Sequence, residues 1–233
     1  MTYRTDDASA ADDSLSQLST ALAGEVIGPT DPAYDGARVC FNALVDRRPA
    51  AIARCLGPED ITTAFDFART HELEVAVRGG GHNPAGHCMV DGGLVIDLSL
   101  LRTVEVDQHA RTAEAEGGST WLDFDSATQV FGLVAPGGVV GSTGVCGLTL
   151  GGGIGHLTAQ YGLTCDNLVG AELVSADGSV IRAGSEWTKG GRQHHQKARD
   201  ANDRLALTTY RATCEPSRNG PKRRRSCFGS VSF

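Results

Sequence analysis

The stretch whose reading decides the fold is Gly137–Gly155, GGVVGSTGVCGLTLGGGIG. Close to half of it is glycine, and Ser142 and Thr143 add hydroxyl groups. Glycine lets a backbone approach another group with no Cβ in the way. Such a run can therefore lie along a flat ligand and bond it through main-chain groups. A flexible linker would be polar throughout, whereas the interleaved Val139, Val140, Val145, Leu148, Leu150 and Ile154 argue for a packed path.

Upstream lies a second cluster, Arg78-Gly79-Gly80-Gly81-His82-Asn83-Pro84-Ala85-Gly86. Glu74–Val77 reads as a strand that runs straight into it. Three glycines after a strand expose consecutive backbone N–H groups, a nest suited to an anionic diphosphate; a plain tight turn is the alternative. The Rossmann fingerprint is absent, because Pro84 stands where that motif requires glycine. His82, directly after the turn, is either a surface side chain or one that faces a bound cofactor. His82, His87 and Cys88 match no common zinc spacing, and no metal is expected.

Around these clusters strand and helix alternate. Leu15, Leu18 and Leu22 recur at helical spacing, and Pro29, Pro32 and Gly36 make a connector. Ala51–Arg54 reads as a strand. Pro58-Glu59-Asp60 opens a helix whose Ile61, Ala64, Phe65 and Ala68 share one apolar face. Leu94–Leu98 is a strand, and Thr103–Asp107 pairs with Arg111–Glu116. Ser119 is the expected N-cap of a helix to about Val130, ended by Gly132. Glu172–Ser175 and Val180–Ala183 form a hairpin about Asp177-Gly178.

The chain has 233 residues, 30 of them glycine, with 40% apolar and 21% charged residues, so a globular core can be built. No apolar run is long enough to span a membrane, and the acidic N-terminus is not a secretory signal. Seven cysteines without a C-x-x-C pair fit reduced thiols in a cytoplasm. Residues 1–186 hold 10 arginines, no lysine and 25 acidic residues, while residues 187–233 hold 11 basic and 3 acidic. A P-loop is excluded, since no Gly-Lys-Ser/Thr occurs, and the acidic body disfavours nucleic acid as a partner.

Taken together, the pieces resemble the FAD-linked oxidases of the vanillyl-alcohol oxidase / p-cresol methylhydroxylase superfamily, in particular the berberine-bridge-enzyme-like branch. The resemblance covers about residues 34–184. It rests on Tyr34 through Asn42, Arg48-Pro49-Ala50, the Arg78–Gly86 run, Asp91-Gly92-Gly93 with Ile96-Asp97-Leu98-Ser99, and Gly137–Gly155. It continues through Tyr161-Gly162-Leu163, Asp166-Asn167-Leu168 and Ala176-Asp177-Gly178. What it implies is an α+β, PCMH-type FAD-binding domain of two subdomains, 34–98 and 100–184; the leucine spacing and the connector place an N-terminal helix and linker before it, at 1–33.

In that family the first loop binds the FAD diphosphate. Here it falls on Arg78, Gly79, Gly80, Gly81 and His82, with Asn83 and Gly86 beside them. The histidine of that loop carries the flavin through its 8α-methyl group in many members, which makes His82 the implied tether. Some members add a bond from a cysteine to flavin C6. Aligning on Gly151-Gly152-Gly153 puts that position at Val140, and Cys146 lies six residues later. The resemblance thus implies one covalent bond, with Cys146 a small buried residue. Gly138, Val139, Val140, Gly141, Ser142, Thr143 and Gly147 are the implied contacts to the isoalloxazine and ribityl parts.

The family oxidises a substrate C–H bond by two electrons, often in a small alcohol or sugar. Hydride goes to flavin N5, and dioxygen commonly reoxidises the flavin. The base that takes the hydroxyl proton comes largely from a later substrate domain, so no catalytic residue is assigned here. After about Ala183 the family pattern gives way to a basic stretch, residues 187–233, without clear strand or helix period. It is expected to be a poorly ordered tail, and its lysine usage fits a truncated or frame-shifted gene product. The reading is an FAD-binding oxidoreductase. Two alternatives stand beside it: a non-catalytic remnant that binds FAD or nothing, and a nucleic-acid or acidic-partner module using Lys222–Arg225.

Overall fold

The computed structural model describes residues 6–184 and 206–216, with side chains described from Ser14 and, in the last segment, from Thr208. Two compact units divide at Leu101 and Arg102. The first also takes in Val174–Val180, and the second Arg102–Leu173 with 181–184 and 207–216.

In the first unit, β1 (Glu25–Ile27), β2 (Ala51–Arg54), β3 (Val75–Arg78) and β4 (Leu94–Asp97) form a sheet of order β1-β2-β4-β3. β4 lies parallel to both β2 and β3, while β1 runs antiparallel to β2. Side chains alternate across the sheet, as a pleated backbone requires. Ala51, Ala53, Leu94 and Ile96 face one core, and Ile52, Ala76 and Val95 face another. The first core is closed by α1 (Asp6–Ala21) through Leu18 and by α3 (Pro58–Thr70) through Ile61, Ala64, Phe65 and Ala68. That is the helical face expected from the spacing. On the other side of the sheet the short helix α2 (Tyr34–Ala37) contributes Tyr34 and Ala37, joined by Cys40, Cys88, Met89 and Val90. The Asp60 carboxylate is buried and accepts the N–H groups of Ala23, Gly24 and Leu56 at 2.8–3.1 Å, tying the α1–β1 turn to the end of β2.

In the second unit, β5 (Val104–Asp107), β6 (Thr112–Glu116), β8 (Leu168–Val174), β9 (Val180–Gly184) and β10 (Ala206–Thr213) form a sheet of order β5-β6-β10-β8-β9. β7 (Leu133–Val134) pairs with β11 (Glu215–Pro216). The expected hairpins at 103–116 and 172–183 are present. The structure corrects the reading of the basic tail over 206–216: β10 is the middle strand of the sheet, antiparallel to β6 with Tyr210 opposite Ala115 and Ala212 opposite Ala113. The rest of that tail, with Lys222–Arg225, lies outside the described residues.

Helix α4 (Trp121–Gln129) starts one residue later than expected. Thr120, not Ser119, is its N-cap, because Asp123 completes a capping box and accepts the Thr120 N–H at 2.8 Å. Ser119 is instead fully buried, and its carbonyl accepts the Val145 N–H at 3.0 Å.

Trp121 is the centre of this unit's core. It is fully buried and meets Phe124 and Tyr210 edge-on, at centroid distances of 5.4 and 6.5 Å. Trp121→Ala is expected to lower stability by about 3–5 kcal/mol, read as a fall in the urea midpoint. Trp121→Phe should cost much less, since the indole Nε1 has no hydrogen-bond partner among the described residues to lose.

Candidate functional site

Two stretches were singled out by sequence, one in each unit. In the first unit β3 ends at Arg78, and the chain then turns through Gly79, Gly80 and Gly81 to His82. The Arg78 guanidinium donates through Nη1 to the Ala37 carbonyl. Its Nε is buried and has no hydrogen-bond partner among the described residues. Gly81 has φ +69°, and a Cβ there would come within 3.3 Å of that Nε. The arginine head and the glycine turn are therefore in direct apposition.

His82 follows this turn and stacks on Phe41, with centroids 4.2 Å apart and rings 16° from parallel. The Phe41 N–H donates to the Gly81 carbonyl at 3.1 Å, which fixes the two segments together. Desolvation lowers the His82 pKa below the ordinary imidazole value. That shift favours the neutral imidazole, the form that can act as a nucleophile. Phe41 carries no signal in the sequence that pairs it with His82; only the fold brings the two together.

Asn83 and Gly86 are occupied locally. The Asn83 Oδ1 accepts the N–H groups of Ala85 and His87 at 3.0 and 3.2 Å, and its carbonyl accepts the Gly86 N–H. Gly86 has φ +74°, and a Cβ there would strike Val45 at 2.6 Å. Both residues shape the loop that presents His82.

In the second unit the glycine-rich run is not a plain loop. It lies along the start of α4: the Gly141 carbonyl accepts the Leu122 N–H at 2.8 Å, and the Thr143 carbonyl accepts the Trp121 N–H at 3.0 Å. It then forms the helix α5 (Val145–Leu150). Gly137 and Gly138 lie against the Trp121 ring. Val139 and Val140 are exposed, at 62% and 44%, as is Leu122 beside Gly141 at 62%. These three make an uncovered apolar surface. Gly147, on the exposed side of α5, has open space where a side chain would be. Ser142 is exposed and Thr143 half-buried at the turn between them. Cys146 is buried, which pushes its thiol up to about 12. It offers no thiolate at neutral pH.

Among the described residues no group of three His, Cys, Asp or Glu side chains comes together to hold a metal. No helix among them is long and apolar enough to cross a membrane.

Residues 49–184 match the FAD binding domain family, and the chain belongs to it. It is a PCMH-type FAD-binding domain, with berberine-bridge-enzyme-like proteins among its structural neighbours. Over 168 residues it is 42% identical to (R)-6-hydroxynicotine oxidase of Paenarthrobacter nicotinovorans, covering 71% of this chain and 37% of that protein. It is 37% identical to the FAD-linked oxidoreductase YgaK of Bacillus subtilis, over 68% of this chain and 35% of that one. A crystal structure of 6-hydroxy-D-nicotine oxidase from Arthrobacter nicotinovorans superposes with a TM-score of 0.77 at 35% identity, covering 84% of this chain and 43% of the other. The berberine-bridge-enzyme-like protein 1 of Physcomitrella patens shares the fold, with a TM-score of 0.76 at 24% identity over 86% of this chain and 44% of that one. The chain thus spans well under half the length of these relatives.

Proposed function

We propose that this chain is the flavin-holding part of an FAD-dependent oxidoreductase and that His82 carries the flavin covalently through its 8α position. The observation that supports this reading is the Arg78–His82 turn. An Arg78 Nε that is buried without a hydrogen-bond partner among the described residues and a glycine backbone stand beside the His82 imidazole, which stacks on Phe41 and whose neutral form burial favours. An anionic diphosphate would satisfy the arginine and the turn's N–H groups. In the second unit, Gly138, Val139, Val140, Gly141, Ser142, Thr143 and Gly147 would contact the isoalloxazine and ribityl parts. The apolar surface of Val139, Val140 and Leu122 suits a flat ring.

When bound, FAD would supply two-electron oxidation of a substrate C–H bond, with dioxygen as the reoxidant. The residues of this chain bind and orient. Arg78 would neutralise the diphosphate, Phe41 would fix the plane of His82, and Cys146, a buried thiol, would take no part. The substrate class is a small alcohol or sugar, and the 6-hydroxynicotine oxidase relative adds a nitrogen heterocycle to the panel worth testing.

The test is expression of the chain with FAD, acid precipitation, and a denaturing gel read by flavin fluorescence. The expected result is a fluorescent band for the native sequence and none for His82→Ala. A band that survives in His82→Ala overturns the tether. No band in either, with FAD released by acid, leaves the fold but a noncovalent flavin. Hydrogen peroxide release with the substrate panel separates an oxidase from a protein that only holds FAD.

A further inference from the structure

We infer that Cys40 and Cys88 form a dithiol that peroxide closes to a disulfide, stapling the two segments that carry Phe41 and His82. The Sγ atoms lie 3.6 Å apart although the residues are 48 positions apart in sequence. Both are buried in the core that also contains Tyr34, Ala37, Met89 and Val90. A disulfide needs the sulfurs to approach by roughly 1.5 Å more. Neither residue is in a helix or strand: Cys40 follows α2, and Cys88 lies in the turn after Gly86. The backbone at both ends can therefore supply that movement without breaking a ladder of hydrogen bonds.

The placement gives the bond a consequence. Cys40 precedes Phe41, whose ring lies on His82 and whose N–H donates to Gly81. Cys88 closes the loop that begins at His82. A bond between the two sulfurs would hold the stacked pair from both sides. The inference concerns the thiols alone and holds whether or not FAD is bound.

The chemistry balances with hydrogen peroxide as the oxidant. One thiolate attacks a peroxide oxygen, releases hydroxide and becomes a sulfenic acid. The second thiol displaces that hydroxyl as water and forms the S–S bond. Two thiols lose two electrons and two protons, and the peroxide ends as two waters. Burial, together with Cys40 beside it, raises the Cys88 thiol to about 11, with Arg78 pulling the other way. Thiolate is scarce at pH 7, so closure is slow and its rate should rise about tenfold per pH unit through the neutral range.

The experiment treats the whole chain with graded hydrogen peroxide, blocks remaining thiols with iodoacetamide, and maps peptides without reduction. The expected product is a Cys40–Cys88 linked peptide, restored to free thiols by dithiothreitol, with a melting temperature raised by about 5–10 °C. Cys40→Ala and Cys88→Ala should each abolish both the linked peptide and the shift. The same treatment in urea should give scrambled pairs, since only the fold sets these sulfurs side by side. Recovery of Cys40 and Cys88 as separately alkylated thiols or separate sulfinic acids, or linked to Cys146, Cys165 or Cys214, overturns the inference. Should the alanine variants fail to fold, the native map against the urea map decides it.

Discussion

Ending the chain after Gly184 is expected to abolish the folding transition of the second unit. That cut removes β10, and β10 is the strand between β6 and β8. Without it the five-stranded sheet becomes two separate hairpins, β5–β6 and β8–β9. An isolated hairpin is marginal at best in water. The cut also removes Tyr210, which is fully buried and stands edge-on to both Trp121 and Phe124 at 6.5 and 6.0 Å. Burying its ring without the hydroxyl's solvent contacts pushes the Tyr210 pKa up, a sign of how dry this centre is. Tyr210→Ala alone is expected to cost about 3–5 kcal/mol. The check is urea unfolding followed by tryptophan fluorescence, with the full chain, Tyr210→Ala and the shortened chain compared. If the shortened chain keeps the full chain's transition, β10 does not hold the sheet together.

The strand that carries this result was partly legible. In residues 208–214, Thr208, Tyr210, Ala212 and Cys214 are buried while Thr209, Arg211 and Thr213 are half-buried, a period of two in a threonine-rich segment. The signal is masked by its flanks, which are charged and polar on both sides. Composition averaged over 187–233 therefore reads as tail, although one short window inside it does not. The reverse holds for α3, where Pro58, Glu59 and Asp60 open the helix and four apolar residues fall on one face, so local and tertiary signals agree. The helix α5 inside the glycine run was not legible, because glycine is a poor helix former and intrinsic propensity argues against it. It forms because packing wins: Val145, Cys146 and Thr149 are buried along one side of it.

The site divides in the same way. Arg78, the glycine turn and His82 can be read from their order alone, because a strand feeding three glycines has few structural uses. Phe41 cannot, since its pairing with His82 depends on Cys40, just before it, and Cys88–Val90, just after the His82 loop, packing with α2 on the same side of the first sheet. Asn83 and Gly86 read as possible ligand contacts by adjacency. In the fold Asn83 makes hydrogen bonds within its own turn, and Gly86 packs against the distant Val45. Leu122 is missed for a similar reason: it belongs to α4 and meets Gly141 only through the pairing of the two segments.

Gly155→Ala and Gly147→Ala are expected to have opposite effects although both lie in one glycine-rich run. A Cβ on Gly155 would stand 1.7 Å from the Gly137 carbonyl oxygen. An ordinary carbon–oxygen contact is roughly 3.3 Å, so backbone must move on one side or the other. Gly137 cannot retreat freely, because it lies on the Trp121 ring. The expected cost is at least about 3 kcal/mol, with loss of the native Trp121 fluorescence. A Cβ on Gly147 meets nothing within 4 Å, and alanine is the better helix former by about 1 kcal/mol. Gly147→Ala should therefore melt at or above the native temperature. If the proposed flavin surface includes Gly147, the same variant should lose most of its flavin absorbance while keeping its fold. Stability from urea midpoints and flavin content from the absorbance of the purified protein read the two effects separately. A Gly147→Ala protein that is stable and fully flavinylated would move the flavin surface away from α5, and a well-folded Gly155→Ala protein would show that the crossing of residues 137 and 155 is not a fixed constraint.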